Sequence, residues 1–204
     1  MDVDSTLITQ EVVELLAARA GSRAEVAAIT ERAMRGELDF TASLRARVAT
    51  LAGLPTTVFA EVLAEIEVTP GAVELLAELD RRGWHVGLVS GGFVEVVGPL
   101  AERLGIPRFH ANALEVEHGA LTGRVAGEVV DRAVKARTLR AWAAALGVPA
   151  DRTVAIGDGA NDLDMLAEAG FGIAFDAKPV VREQADAAVD GRLDAVLDLP
   201  PFAG

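Results

Sequence analysis

The chain has no cysteine and no tyrosine, and it carries only two lysines against seventeen arginines among its 204 residues. Without cysteine there is no disulfide, no thiol nucleophile and no cysteine-bound zinc. No run of about 18 apolar residues occurs, which excludes a conventional membrane-spanning helix. No cationic, apolar leader precedes Asp2, so no signal peptide is expected and the cytoplasm is the expected location. Positive charge is scarce. With a net charge of −12, nucleic acid and anionic membranes are unsuitable partners. Any anion site must be built locally against the overall field. The 51% of hydrophobic residues is enough to bury a core in a chain of this size.

Against this background one segment stands out. Asp2-Val3-Asp4-Ser5-Thr6 places two carboxylates two residues apart, and on an extended strand end such residues share a face. One can attack while the other moves a proton. Three further segments accompany it. Val89-Ser90-Gly91-Gly92-Phe93 follows an apolar run and reads as an anion-binding turn ahead of a helix. Lys135 is one of the two lysines, a compact cation suited to a phosphate oxygen. Ile156-Gly157-Asp158-Gly159-Ala160-Asn161-Asp162 offers carboxylates suited to a hard cation such as Mg²⁺. Each alone is also explained as an ordinary turn, cap or solvated residue. In an alternating β/α chain, all four fall at strand ends or helix starts, where open α/β sheets carry their ligand chemistry.

Residues 9–67 read as helices only, with candidates near Val12, at 22–35, 40–52 and 55–65, broken at Gly21, Gly36 and Gly53-Leu54-Pro55. From Thr69-Pro70 the pattern alternates. It predicts a helix over 70–82, a strand over 84–89, a helix over 93–104, an extended segment over 109–117 and a hairpin into 120–125. A helix over 133–147, a strand over 152–156, a helix over 160–169, a strand over 171–175 and a short terminal unit follow. The expected fold is α/β, with a mainly parallel sheet flanked by helices. The expected division is a core of residues 1–8 and 68–204 with a helical cap, 9–67, inserted after the first motif.

Taken together these segments resemble the phosphoserine phosphatases of the haloacid dehalogenase-like superfamily, from Asp2 to about Ala188. The cap segments share in the resemblance: Ile29-Thr30, Ala33-Met34, Gly36-Glu37-Leu38-Asp39-Phe40 and Ser43 to Val48, as do Ala111-Asn112, Leu121-Thr122-Gly123 and Ala177-Lys178-Pro179. The resemblance implies a Rossmann-like core and hydrolysis of O-phosphoserine, the last step of serine biosynthesis, through an aspartyl-phosphate. It makes Asp2 the nucleophile and Asp4 the general acid and base. Mg²⁺ is held by Asp2, the Asp4 backbone carbonyl and Asp158. Ser90, Gly91 and Lys135 hold the phosphoryl oxygens, Asn161 positions substrate or Lys135, and Asp162 supports them. Glu11 takes the substrate ammonium and Arg47 its carboxylate, while Met34 and Phe40 form an apolar lid. His85, His110 and His118 have no role in this scheme, and Trp84 and Trp142 are read as packing residues. The implied partner is a small phosphomonoester, and the resemblance leaves room for a homodimer. Two alternatives stay open: a related phosphatase or phosphotransferase acting on another small phosphomonoester, and an inactive, N-terminally shortened fragment.

That second alternative arises from one departure. In the resembled family an apolar strand precedes the nucleophile, whereas here only Met1 does. Loss of a central strand of five or six residues costs on the order of 10 to 20 kcal/mol in hydrogen bonds and burial, as much as a typical domain's stability. The expectation is a first core strand that is missing from this sequence, with an upstream extension in the natural protein. A charged α-amino group beside Asp2 is expected to compete with a cation for its carboxylate.

Overall fold

The computed structural model describes residues 1–202. Four helices come first: α1 (Val12–Ala20), α2 (Arg23–Met34), α3 (Phe40–Ala49) and α4 (Val58–Glu65). Gly21 ends α1 in the left-handed conformation, its N–H closing on the last carbonyls of the helix. The Asp39 carboxylate accepts from Ala42 N at 2.7 Å and starts α3. Where the chain leaves and rejoins the core, its two crossings form an antiparallel bridge between Ile8 and Val68. Thr9 N donates to Glu67 O at 3.0 Å and Thr69 N to Leu7 O at 2.9 Å. A second attachment lies at the far end of the helical region. Pro55 bridges Ala120, and Gly53 N and Leu121 N exchange hydrogen bonds with Leu121 O and Leu54 O.

The remainder alternates as α5 (Ala72–Arg81), β1 (Gly87–Phe93), α6 (Val94–Arg103), β2 (Arg108–Glu117), β3 (Ala120–Ala126) and α7 (Arg132–Leu146). It continues as β4 (Val154–Gly157), α8 (Leu163–Glu168), β5 (Phe171–Phe175), α9 (Pro179–Arg182) and β6 (Ala187–Val189). Two three-stranded sheets result, ordered β1-β2-β3 and β4-β5-β6. All pairings are parallel except the β2/β3 hairpin. This is the expected α/β class, a mainly parallel sheet flanked by helices with a helical insertion. Apolar side chains from both regions form one large core, including Val3, Leu16, Leu44, Val62, Leu88 and Phe175. Among the described residues, no helix is long and apolar enough to cross a membrane.

Two readings need correction. The first strand runs over 87–93 rather than 84–89. The glycines that read as a turn lie inside it as a bulge, where the register with β2 shifts between Ser90 and Phe93. The helix expected over 160–169 begins only at Leu163, because Asp162 accepts a hydrogen bond from Gly159 N at 3.0 Å and holds the preceding loop closed. In line with the expectation of a missing first strand, residues 1–3 form no strand; Met1 and Asp2 instead link the two sheets. Met1 N donates to Gly87 O at 2.7 Å, Val89 N to Met1 O at 3.0 Å, and Asp2 N to Ile156 O at 2.9 Å. The terminal ammonium is therefore engaged by a backbone carbonyl.

Candidate active site

The site forms where β1, β4 and the first residues meet the start of α1. Val3 is fully buried in the core and anchors the segment, so Asp2 and Asp4 project into the space around it. The Asp2 carboxylate is buried, accepting from Val3 N at 2.7 Å and lying 2.8 Å from Lys135 Nζ. Lys135 is fully buried one turn into α7, whose start is fixed by the Asp131 carboxylate accepting from Val134 N. Its ammonium also donates to Asp162 at 2.7 Å. An ammonium has three N–H donors, so one is left for a further acceptor beyond these two carboxylates.

Asp2, Asp158 and Asp162 each present a carboxylate oxygen, and these oxygens lie within 4.8 Å of one another. Three hard oxygen donors gathered this closely fit a divalent cation. Burial, then Asp162, pushes Asp2 up to about 8, although Lys135 works in the other direction. Burial, Asp162 and Glu11 push Asp158 up to about 6. For Lys135, burial opposes the charge, but Asp162 and Asp2 outweigh it and hold its pKa above the ordinary value. The carboxylates are crowded beyond what one lysine neutralises, which is the condition a bound cation relieves.

This crowding sets a testable pH dependence. A carboxyl whose folded pKa is raised keeps its proton in the folded state while the unfolded chain releases it, so stability falls as pH rises between the two values. For Asp158 that window runs from 3.8 to about 6, and for Asp2 from 3.8 to about 8. The Met1 amine, lowered by burial to about 6 from 8.0, has the opposite sign and adds stability between those values. The steepest site-dependent loss is thus expected from about pH 4 to 6. In melting curves recorded with a chelator, this loss should appear. At pH 7.5 a divalent cation at about 100 times its dissociation constant should add roughly 2.7 kcal/mol, a rise of about 5 to 10 °C. A melting temperature indifferent to the cation would refute the metal site.

Asp4 faces elsewhere. Its Oδ2 accepts from Val12 N at the start of α1 at 3.3 Å, and its Oδ1 is buried with no partner. Burial, then Glu11 and Asp2, raise its pKa well above the ordinary carboxylate value, which favours the protonated acid. Its carboxylate lies outside the metal-compatible cluster. The glycine bulge packs against it: a Cβ on Gly92 would come within 3.3 Å of both Asp4 carboxylate oxygens, and one on Gly91 within 3.1 Å of Phe40 Cζ and 3.8 Å of Asn161 Nδ2. Phe40 and Asn161 therefore border the loop. Met34 is 69% exposed, so no packing at the site fixes it here.

Arg47, on α3, is partly buried, and its Nε is enclosed without a partner. Burial lowers its pKa, while Glu11, Asp4 and Glu14 act to raise it. The three histidines are all exposed and away from this cluster.

Five supporting hydrogen bonds escaped the sequence reading. Ser5, at φ 55°, donates to Glu11 Oε1 at 2.9 Å. Thr6, fully buried, donates to Asp158 Oδ1 at 3.2 Å. Asn112 donates to Gly91 O at 2.8 Å and accepts from Val130 N at 2.8 Å, which pins the bulge. Ser90 accepts from Gly92 N at 2.8 Å.

The haloacid dehalogenase-like hydrolase family matches this chain over residues 1–167. The chain belongs to that family. Among its relatives in this haloacid dehalogenase-like group, the phosphoserine phosphatase of Streptomyces coelicolor is 62% identical over 200 residues, 98% of this chain and 49% of its own length. That of Streptococcus thermophilus is 57% identical over 91% of this chain and 86% of its own length. The chain thus spans about half the length of the first relative and most of the second. A solved structure of a phospho-aspartyl intermediate analogue of phosphoserine phosphatase superposes with a TM-score of 0.91 at 42% identity, covering 97% of this chain and 95% of that one. A substrate-bound phosphoserine phosphatase gives the same TM-score, 0.91, at 42% identity, over 97% and 94% of the two chains.

Proposed function

We propose that this chain hydrolyses O-phosphoserine to serine and phosphate with Mg²⁺, its helical region 9–67 serving as the cap over a core of 1–8 and 68–204. One observation supports the substrate above all. Arg47 Nε and Asp4 Oδ1 are enclosed polar atoms with no partner, and buried polar groups left in that state point to a ligand. Phosphoserine supplies a match: its carboxylate for Arg47, its ammonium for Glu11, its leaving oxygen for Asp4. The names of the relatives and solved structures point the same way.

The geometry supports the following chemistry. Asp2 attacks phosphorus, the bond from phosphorus to the serine oxygen breaks, and the protonated Asp4 gives that oxygen its proton. Water then attacks the aspartyl-phosphate, Asp4 takes the water's proton, and the Asp2 oxygen is released. Ser90, Gly91 N–H and the third Lys135 donor steady the phosphoryl oxygens throughout. Asp2 and Asp158, with the Asp4 carbonyl, would hold Mg²⁺, which when bound supplies charge neutralisation between the two anions. Asp162 tethers Lys135 and the Gly159 loop, and Asn161 borders the phosphate loop. Phe40 and Met34 form the lid.

Two variants test the substrate. Arg47→Ala removes a charge-assisted contact worth about 1.5 to 3 kcal/mol, so KM for phosphoserine should rise roughly 10- to 100-fold. KM for phosphoethanolamine, which lacks the carboxylate, should stay within a factor of two or three. Ser5→Ala frees Glu11 and should raise KM for phosphoserine about threefold to tenfold. Equal losses on both esters in Arg47→Ala would overturn the assignment. Release of phosphate from other small esters but not from phosphoserine would overturn the substrate itself.

A further inference from the structure

Helix α3 has the glycine bulge of β1 at one end and the β2/β3 hairpin at the other. At its start, Phe40 lies against the bulge, where a Cβ on Gly91 would come within 3.1 Å of its ring. At its end, a Cβ on Gly123 of β3 would come within 3.0 Å of Ala52 Cβ, 3.1 Å of Ala49 O and 3.3 Å of Ala49 Cα. Gly123 sits where the hairpin register breaks. Leu121 pairs with Val116 and Val125 with Leu114, so residues 122–124 face Glu115 alone, and the strand bends there. At φ 81° Gly123 also holds a conformation that favours glycine. Beyond it, Gly53 N donates to Leu121 O and Leu121 N to Leu54 O, both at 2.8 Å. The root of the hairpin is tied to the bulge: Asn112 donates to Gly91 O, and Glu95, in the first turn of α6, accepts from Leu114 N at 2.9 Å. The frame is closed, from the bulge through Phe40 along α3 to Ala49, across to Gly123, and back down β2 to Asn112 and Gly91. Its sides are about 13 Å of helix and about 10 Å of strand. Arg47 rides on the helical side, two residues before the contact with Gly123, its Nε enclosed and unpartnered.

We propose that Gly123 is a specificity-determining positioning residue: its missing side chain lets α3 seat against the hairpin, and that seat sets how far the Arg47 guanidinium stands from the glycine bulge. The proposal rests on the reading of Arg47 as partner of the substrate carboxylate. An ester held by its phosphate at the bulge and by its carboxylate at Arg47 must match a fixed separation. A methyl on Gly123 forces α3 to give by a few tenths of an ångström, and a misplacement of about 1 Å at a positioned group can cost about 100-fold. An ester without the carboxylate lacks that anchor and is indifferent to the shift.

The test is a mutant cycle in the full chain, read on phosphoserine and phosphoethanolamine. Gly123→Ala alone should raise KM for phosphoserine about fivefold to twentyfold and leave KM for phosphoethanolamine within a factor of about two. Added to Arg47→Ala, it should change KM for phosphoserine less than about twofold, because the contact it displaces is already gone. Ala52→Gly in the Gly123→Ala background removes the nearest clashing atom and should recover part of the loss. Strain from the positive φ alone would not respond to that change. A folded Gly123→Ala protein with unchanged KM for phosphoserine, with equal rises on both esters, or with the same rise in the Arg47→Ala background overturns the proposal. Where Gly123→Ala does not fold, Pro55→Gly decides. It loosens the same attachment at the bridge to Ala120 and should raise KM for phosphoserine about twofold to threefold with phosphoethanolamine unchanged; no selective rise overturns the proposal. Failure of the substrate reading shows itself separately, as equal losses on the two esters in Arg47→Ala, and takes this proposal with it. A selective loss in Arg47→Ala with none in Gly123→Ala sinks only the role of Gly123.

Discussion

With asparagine in place of Asp2, phosphate release from phosphoserine falls by about 10⁴-fold or more, and the fold survives. The amide keeps the oxygen that accepts from Val3 N but has no lone pair basic enough to attack phosphorus, so the covalent route closes. Lys135 loses one of its two carboxylates and retains Asp162 at 2.7 Å. An amide N–H now faces the ammonium, a local cost of about 1 to 3 kcal/mol. Removal of a carboxyl pushed up to about 8 by burial and its acidic neighbours offsets part of this in the cation-free protein. The checks are phosphate release at saturating substrate, a melting curve, and acid-quench trapping of the phosphorylated chain. Residual turnover above a few per cent in a folded variant would mean that another group attacks.

Lys135→Met has the largest expected effect on stability. It strands Asp2 and Asp162, both buried and both within 2.8 Å of the lost ammonium, and leaving buried charge unpaired costs about 3 to 5 kcal/mol. For a chain of this length that is a fall of about 6 to 20 °C in melting temperature. The deficit should shrink on adding a divalent cation, which supplies positive charge to the same carboxylates. Turnover should drop by about 10² to 10³ with the loss of a phosphoryl contact. Arginine is not expected to rescue either property, because a planar guanidinium does not fit a fully buried ammonium site. A Lys135→Met protein that melts within 2 °C of the parent at pH 7.5 would show that the ion triad contributes little.

The alternation of helices and strands was legible from hydrophobic runs such as Val154 to Ile156 and Phe171 to Phe175, because buried parallel strands are continuously apolar. The bulge in β1 was not. Gly91 and Gly92 look like a strand terminator in sequence, and what keeps them in the strand is Asn112, on a neighbouring strand. Within the site, Asp2 was readable from its spacing to Asp4, Lys135 from the scarcity of lysine, and Asp158 and Asp162 from carboxylates in a glycine-containing segment at a strand end. The role of Thr6 was not readable: its partner Asp158 is 152 positions away, and a hydroxyl next to an acidic pair carries no spacing signal. Asp4 was readable as an acid, but not as one lying apart from the metal-compatible carboxylates, since that follows from its contact with the start of α1.

The two attachments of the helical region, at Ile8 with Val68 and at Pro55 with Ala120, constrain more than shape. A roof bolted at both gables cannot lift away. The stretch between α2 and α3, residues 35–39, carries neither attachment; Gly36 takes a positive φ there and the neighbouring Met34 is solvent-facing. Any local rearrangement of the proposed cap is expected there rather than at either attachment.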